Sequence, residues 1–89
     1  MRLHAVVRGR VQGVGFRWFV REAATRLDLA GRVLNRADGG VEVEAEGDEA
    51  AIAVLRRELK AGPRGANVEA IEELQPTAGT LGRPFSIER

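Results

Sequence analysis

The sequence predicts an α+β fold in which an antiparallel sheet of four to five strands carries two helices on one face. Three observations predict it. Apolar and polar residues alternate in several short segments, apolar residues recur at helical spacing in two longer ones, and the order strand–helix–strand occurs twice. The chain has 89 residues, of which 44% are hydrophobic and 30% charged, so one domain over residues 1–89 is expected.

The first half of the chain contains a strand, a helix and a second strand. Residues 3–9 alternate so that one side is strongly apolar, as in a half-buried strand. From Phe16 onward, apolar residues recur at helical spacing, and Gly31 is expected to end this helix. The segment RVLNR, residues 32–36, then predicts the second strand.

The second half repeats this order without repeating the sequence. The segment NRADGGV contains an Asp-Gly pair, which tolerates the positive φ angles of a hairpin turn, and VEVEAEG is the clearest strand. Asp48 is predicted to cap a helix that ends at Gly62 and Pro63. NVEAIEEL is predicted as another strand, and PFSIE as a short final one with Phe85 and Ile87 on one side. Two strand–helix–strand units predict a ferredoxin-like sandwich.

Composition and charge exclude several classes of function. The chain has no cysteine, which rules out disulfides, thiolate metal sites and cysteine nucleophiles. Its start does not resemble a signal peptide and no apolar run could span a membrane, so a cytoplasmic location is predicted. Residues 1–40 carry eight arginines and three acidic residues, whereas residues 41–89 carry six basic and ten acidic residues. A chain-wide basic surface for nucleic acid is therefore not expected, although this distribution allows a local anion site in the first half.

The stretch GRVQGVGFRW, residues 9–18, is the most informative part of the chain. Its spacing does not fit a nucleotide-binding P-loop, which needs a lysine followed by a hydroxyl residue. It does not fit a dinucleotide fingerprint either, because Trp18 stands where the third glycine would be. A simple corner between strand and helix is a third possibility, but three glycines within seven residues cost more conformational entropy than a corner requires.

An anion-binding cradle explains more of these residues. Gly13 and Gly15 allow successive amides to turn into one concavity. The helix that begins near Phe16 adds its unpaired amides and the positive end of its dipole. Arg17 in the first turn opposes that dipole unless a negative ligand lies over the helix terminus, where its guanidinium could hold two phosphate oxygens. The residues therefore predict a phosphate site.

Together with GRVLNRADGGVEVEAEG, residues 31–47, this stretch resembles the acylphosphatases, ferredoxin-like enzymes that hydrolyse carboxyl-phosphate anhydrides. The resemblance continues through GPRGANV, residues 62–68, and FSI, residues 85–87, so it covers nearly the whole chain. It implies that Arg17 and Asn35 are catalytic, with Asn35 positioning the attacking water. It also implies that the phosphoryl group is bound by the backbone of residues 10–16 and by Arg17: Arg10, Val11, Gln12, Gly13, Val14, Gly15, Phe16 and Arg17.

The available residues agree with that chemistry. An acyl phosphate already carries a good leaving group, so the protein must neutralise the phosphoryl charge and place a water in line, without a covalent nucleophile. His4, the sole histidine, is expected to be a satisfied or solvent-facing strand residue far from the glycine turn. Glu42, Glu44 and Glu46 are expected to pair with arginines across the sheet and not to bind a metal.

The residues alone leave two alternatives open. Asn35 precedes a hairpin, where an asparagine often only hydrogen-bonds its local backbone. The domain could also be a non-catalytic anion-binding regulatory module, since ferredoxin-like folds serve many functions. RNA binding is disfavoured because the strands offer no aromatic residues for base stacking. We expect a small-molecule acyl phosphate as the substrate, no cofactor, no metal, no nucleic-acid or membrane partner, and a monomer.

Overall fold

A computed structural model describes all residues from Met1 to Arg89 and contains five strands and two helices. Neither helix has the length and apolar character needed to cross a membrane. The elements in chain order are β1 (Arg2–Arg10), α1 (Phe16–Arg26), β2 (Ala30–Asn35), β3 (Val41–Glu46), α2 (Glu49–Ala61), β4 (Asn67–Glu73) and β5 (Ser86–Glu88). All the strands and helices predicted from the sequence are present.

The strands form one sheet in the order β4-β1-β3-β2-β5. The first four strands pair antiparallel, as predicted, but β5 pairs parallel to β2, so the sheet is mixed. The physical reason is the route of residues 74–85, which we call the strap. The strap leaves β4 at one edge of the sheet, crosses the sheet over His4 and Glu44, and enters β5 at the other edge.

The core lies between the sheet and the two helices, which pack on one face. Alternate residues of the strands, such as Leu3, Ala5 and Val7 of β1, point into it and are fully buried. The helices contribute the apolar stripes predicted from their spacing, including Phe16, Val20, Ile52, Leu55 and Leu59. The opposite face carries His4 and a set of arginine–glutamate pairs beneath the strap.

One boundary prediction is wrong. Helix α1 ends at Arg26, and the left-handed residue that follows it is Asp28 (φ 57°), so Gly31 does not end the helix. Gly31 lies inside β2, where a Cβ atom would stand 1.9 Å from the carbonyl oxygen of Glu44. A close approach of two strand backbones therefore requires this glycine. Asp48 occupies the predicted N-cap position of α2, but its side chain makes no capping hydrogen bond.

Candidate active site

Three chain segments meet at one end of the strands because of the topology of the sheet. β1 and β2 are both antiparallel to β3, so they run in the same direction, and β5 is parallel to β2. The C-terminal ends of β1, β2 and β5 therefore lie at the same end of the sheet. The first is followed by the glycine loop, the second ends at Asn35, and the third leads to Arg89.

The loop between β1 and α1 presents a run of amides that make no internal hydrogen bond. Val11 and Phe16, at its two ends, are buried in the core and fix its position. The first α1 amide to bond within the helix is that of Phe19, to the carbonyl of Gly15. None of the amides from Gln12 to Trp18 donates a hydrogen bond of normal length and angle to an acceptor in the protein. Seven successive donors are thus free for a ligand.

The φ angles of this loop alternate in sign, as they do in an anion-binding nest. Gly13 and Gly15 have φ angles of 76° and 75°, whereas Gln12 and Val14 have negative φ. Alternation of right-handed and left-handed residues turns successive amides toward a common concavity. The second left-handed residue is also the N-cap of α1, so the unpaired amides and the positive end of the helix dipole lie beside the loop.

Gly9 serves a different purpose from the other two glycines of the motif. It lies inside β1 at an irregularity in the pairing with β4. A Cβ atom there would stand 2.2 Å from the carbonyl oxygen of Asn67, whereas nothing lies within 4 Å of a Cβ built on Gly13 or Gly15. Gly9 is therefore required by strand packing, and only Gly13 and Gly15 are required by the conformation of the loop.

Arg17 lies in the first turn of α1, where no acidic residue accompanies it. Its guanidinium donates one hydrogen bond, from Nη1 to the carbonyl oxygen of Glu88 at 3.3 Å. It forms no ion pair, whereas eight other arginines do: Arg2, Arg8, Arg21, Arg26, Arg32, Arg36, Arg56 and Arg83. The positive charge beside the free amides is thus not balanced by a carboxylate.

Asn35 is the last residue of β2 and borders the same cleft as Arg17. Its side chain makes no hydrogen bond within the protein, so the local-backbone role is not seen here. The side chain of Gln12 holds the loop next to it, because its Nε2 donates to the carbonyls of Arg36 (2.8 Å) and Gly40 (2.9 Å). Sequence reasoning missed this role, which depends on contacts 24 and 28 residues away along the chain.

The hairpin that accepts from Gln12 is itself held by charge. The carboxylate of Asp38 pairs with Arg8 at 2.8 Å and with Arg36 at 3.1 Å, and it accepts the amide of Gly40 at 3.1 Å. The Arg8 guanidinium and the Gly40 amide, helped by Arg36, lower the pKa of this carboxyl to about 2. Asp38 is therefore ionised at neutral pH and fixes the turn that positions Asn35 relative to the loop.

The cleft has a volume of about 260 Å³. Five of the predicted residues line it together with Asn35: Val11, Gly13, Gly15, Phe16 and Arg17. The other predicted residues, Arg10, Gln12 and Val14, do not line it, and Arg10 pairs with Asn67 in the β1–β4 ladder. The rest of the lining was not predicted and consists of Trp18, Ile87 and Arg89.

His4, Glu42 and Glu44 form a network under the strap, separate from the cleft. His4 lies between Glu42, 2.7 Å from Nε2, and the carbonyl of Gln75, 3.1 Å from Nδ1, which confirms a satisfied strand histidine. Glu42 and Glu44 pair with Arg36 and Arg32, as predicted. The oxygen and nitrogen atoms that could ligate a metal here are already engaged, so the cluster is explained by its ion pairs.

Comparisons with known proteins agree with this geometry. Residues 3–87 match the family model described as Acylphosphatase. The chain is 52% identical over 83 residues to an acylphosphatase of Koribacter versatilis, and the matched residues make up 93% of this chain and 76% of the relative. It is 54% identical over 81 residues to an acylphosphatase of Pseudomonas aeruginosa, and the match covers 90% of this chain and 89% of that relative. The crystal structure of acylphosphatase from Bacillus subtilis superposes with a TM-score of 0.91 at 40% identity, covering 99% and 98% of the two chains. The chain belongs to the acylphosphatase family.

Proposed function

We propose that this protein hydrolyses acyl phosphates at the cleft between the glycine loop, Arg17 and Asn35. The observation that supports this most directly is the run of free amides from Gln12 to Trp18 beside a guanidinium with no carboxylate partner. Fixed donors around a concavity complement the charge of a phosphoryl group. In the proposed complex, the amides and Arg17 bind the three non-bridging phosphoryl oxygens, with Arg17 contacting two of them.

The proposed reaction is a direct displacement by water. The oxygen of a water held by the Asn35 amide bonds to phosphorus, while the bond between phosphorus and the carboxyl oxygen breaks and its electron pair leaves with the carboxylate. A proton of the water passes to a phosphoryl oxygen, because an amide is not basic enough to accept it. Asn35 therefore orients the nucleophile, and Arg17 stabilises the charge on the transferred group.

The lining of the cleft supports a mechanism without a covalent intermediate. It contains no serine, threonine, histidine, cysteine or acidic side chain. The single serine, Ser86, lies in β5 and does not border the cleft. We therefore propose attack by water without a protein nucleophile, cofactor or metal ion. A chelator such as EDTA should leave the rate unchanged, and inorganic phosphate should inhibit competitively.

Substitution of Arg17 tests the proposal most directly. Benzoyl phosphate hydrolysis, measured by the loss of ultraviolet absorbance, should fall by about a thousandfold in Arg17→Ala, because the cation that contacts two phosphoryl oxygens in the transition state is lost. Arg17→Lys should also lose most activity, because an ammonium cannot contact two oxygens in the same plane. The affinity for inorganic phosphate should fall in parallel, while circular dichroism stays unchanged.

Arg21→Ala is the matched control for Arg17. Arg21 lies one turn further along α1, is partly exposed, and pairs with Glu22 outside the cleft. It should retain wild-type turnover. An Arg17→Ala protein with normal activity would remove this residue from the mechanism. A folded wild-type protein that binds phosphate but hydrolyses no acyl phosphate would instead indicate the alternative, a non-catalytic anion-binding module.

Asn35→Ala separates positioning of water from binding of the anion. Turnover should fall by about a hundredfold, because the attacking water loses its orientation. The inhibition constant of inorganic phosphate should change little, since the Asn35 side chain does not contact the anion in the proposed complex. Asn67→Ala, at an exposed position on β4, serves as the control. Equal losses of turnover and phosphate affinity would mean that Asn35 is structural.

A further inference from the structure

Trp18 is the one large apolar residue that is both strongly exposed and part of the cleft. The residue is 58% exposed and lines the cleft together with Arg17. The other large apolar residues with high exposure, Met1 and Leu74, do not line it. The indole makes no hydrogen bond in the protein, and the aromatic contact within α1 is between Phe16 and Phe19. The indole face is therefore available to a ligand.

The position of Trp18 in the helix directs it toward the mouth of the loop. Side chains of an α-helix are tilted toward its N-terminus, so residues of the first turn lean over the amides that begin the helix. Arg17 and Trp18 are neighbours in this turn. A group attached to a phosphate held by those amides and Arg17 is thus brought next to the indole.

The proposed reaction leaves part of the cleft without an assignment. The loop and Arg17 are used by the phosphoryl group, and Asn35 by the water. The lining side chains that remain are those of Trp18, the half-buried Ile87, and Arg89, which follows β5. Two of these three present apolar surface. The substrate has one remaining part to place, its acyl group.

We propose that Trp18 and Ile87 form the acyl-group subsite and that it favours flat apolar acyl groups, aromatic ones above all. This inference rests on the proposed function and adds the substrate class. An aromatic ring stacked on the indole buries apolar surface on both sides, at little entropic cost because Trp has only two side-chain torsions. A small acyl group such as acetyl covers much less of the indole and gains less from it.

Kinetics with two substrates test the subsite. Benzoyl phosphate and acetyl phosphate carry the same phosphoryl group on acyl groups of different size. In Trp18→Ala, kcat/KM for benzoyl phosphate should fall about tenfold, whereas the value for acetyl phosphate should stay within about twofold of wild type. Trp18→Phe should retain most of the preference, because it keeps an aromatic face. The inhibition constant of inorganic phosphate should be unchanged in both variants.

The control is Leu74→Ala, which removes an exposed apolar side chain outside the cleft and should change neither substrate. Equal loss for both substrates, or no loss for benzoyl phosphate, would overturn the subsite while leaving the hydrolase function intact. A wild-type protein inactive on both substrates would overturn the proposed function itself. The two failures are therefore distinguishable.

Intrinsic fluorescence gives a second readout that does not depend on turnover. Trp18 is the only tryptophan and the chain has no tyrosine, so emission excited at about 295 nm reports on this residue alone. Benzylphosphonate cannot be hydrolysed at its P–C bond. At equal occupancy of the site, determined by competition with inorganic phosphate, it should change the emission more than methylphosphonate does. Identical spectra for the two phosphonates would contradict contact between the aromatic group and Trp18.

Discussion

Gly13 and Gly15 show how single residues set the backbone shape of this cleft. Both hold left-handed backbone conformations, yet neither is crowded, since nothing lies within 4 Å of a Cβ built on either. The need for glycine at these positions is therefore conformational and not steric. An L-residue in this region costs about 1–2 kcal/mol. The loop can relax that strain by rotating its amides out of the nest, which would remove the proposed phosphate donors.

Gly15→Ala is predicted to damage function more than stability. We expect the free energy of unfolding in urea to fall by about 1–2 kcal/mol, from the left-handed conformation alone. Phosphate affinity and turnover should fall by more than this implies, because the amides no longer converge. Gly9→Ala should show the opposite pattern, with a loss of about 3 kcal/mol or more from the clash with the Asn67 carbonyl oxygen. Similar profiles for the two variants would contradict separate roles.

The sequence predicted those residues of the cleft that stand out by local features. Arg17 is conspicuous because a cation in the first helical turn opposes the dipole, and the loop glycines because they permit a nest. Gln12, Trp18 and Ile87 were not predicted as site side chains, because each meets the site through contacts that depend on the tertiary fold. Gly31 was misassigned for the same reason, since its neighbour is the β3 backbone.

At the scale of elements, the strap covers the face of the sheet that has no helices. Its attachments involve charged groups: His4 bonds to the carbonyl of Gln75, Thr77 donates to Glu44, and Arg2 donates to the carbonyl of Thr77 at 2.7 Å. Both ring nitrogens of His4 face atoms that accept hydrogen bonds, the Gln75 carbonyl and the Glu42 carboxylate. Making both bonds requires the doubly protonated ring.

The directions of the pKa shifts in this network fix how stability depends on pH. Burial lowers the pKa of His4, but bonds to Glu42 and Gln75 and the charge of Glu44 outweigh it, so the pKa is raised above 6.5. Burial raises the pKa values of Glu42 and Glu44, but their hydrogen bonds and the neighbouring cations make the net shift downward from 4.5. The folded state therefore holds the His4 proton more tightly, and the two glutamate protons less tightly, than the unfolded state.

The His4 contribution to stability should be complete below pH 6.5 and be lost as pH rises through the raised pKa. The contributions of Glu42 and Glu44 should be complete above pH 4.5 and be lost as pH falls through their lowered pKa values. Urea unfolding between pH 6 and pH 9 should show a decline that His4→Gln largely removes. A wild-type decline identical to that of His4→Gln would mean that the histidine is uncharged in the folded protein.

At the scale of the whole molecule, folding turns an uneven charge distribution into a local site. Five of the eight arginines of the first half pair with carboxylates of the second half, in the pairs Arg2–Glu46, Arg8–Glu72, Arg26–Glu58, Arg32–Glu44 and Arg36–Glu42. Arg17 has no such partner, and it lies at the end of the sheet where β1, β2 and β5 terminate. The charge pattern and element order could be predicted from the sequence, but the direction of β5, which brings Ile87 and Arg89 to the cleft, could not. It depends on the path of a strap with no regular secondary structure.

The edges of the sheet favour a monomer in solution. The β5 edge has only three residues, and β4, at the other edge, carries Glu69, Glu72 and Glu73 within seven residues. Short or charged edge strands oppose pairing between copies.

Light scattering at neutral pH should therefore give a mass near 9.7 kDa at micromolar concentration. The double variant Glu69→Val/Glu72→Val should associate with rising concentration, because the edge loses two of its three carboxylates and becomes more apolar. Glu49→Val, on the exposed start of α2, should stay monomeric. A wild-type dimer, or a double variant that stays monomeric, would mean that edge charge does not set the oligomeric state.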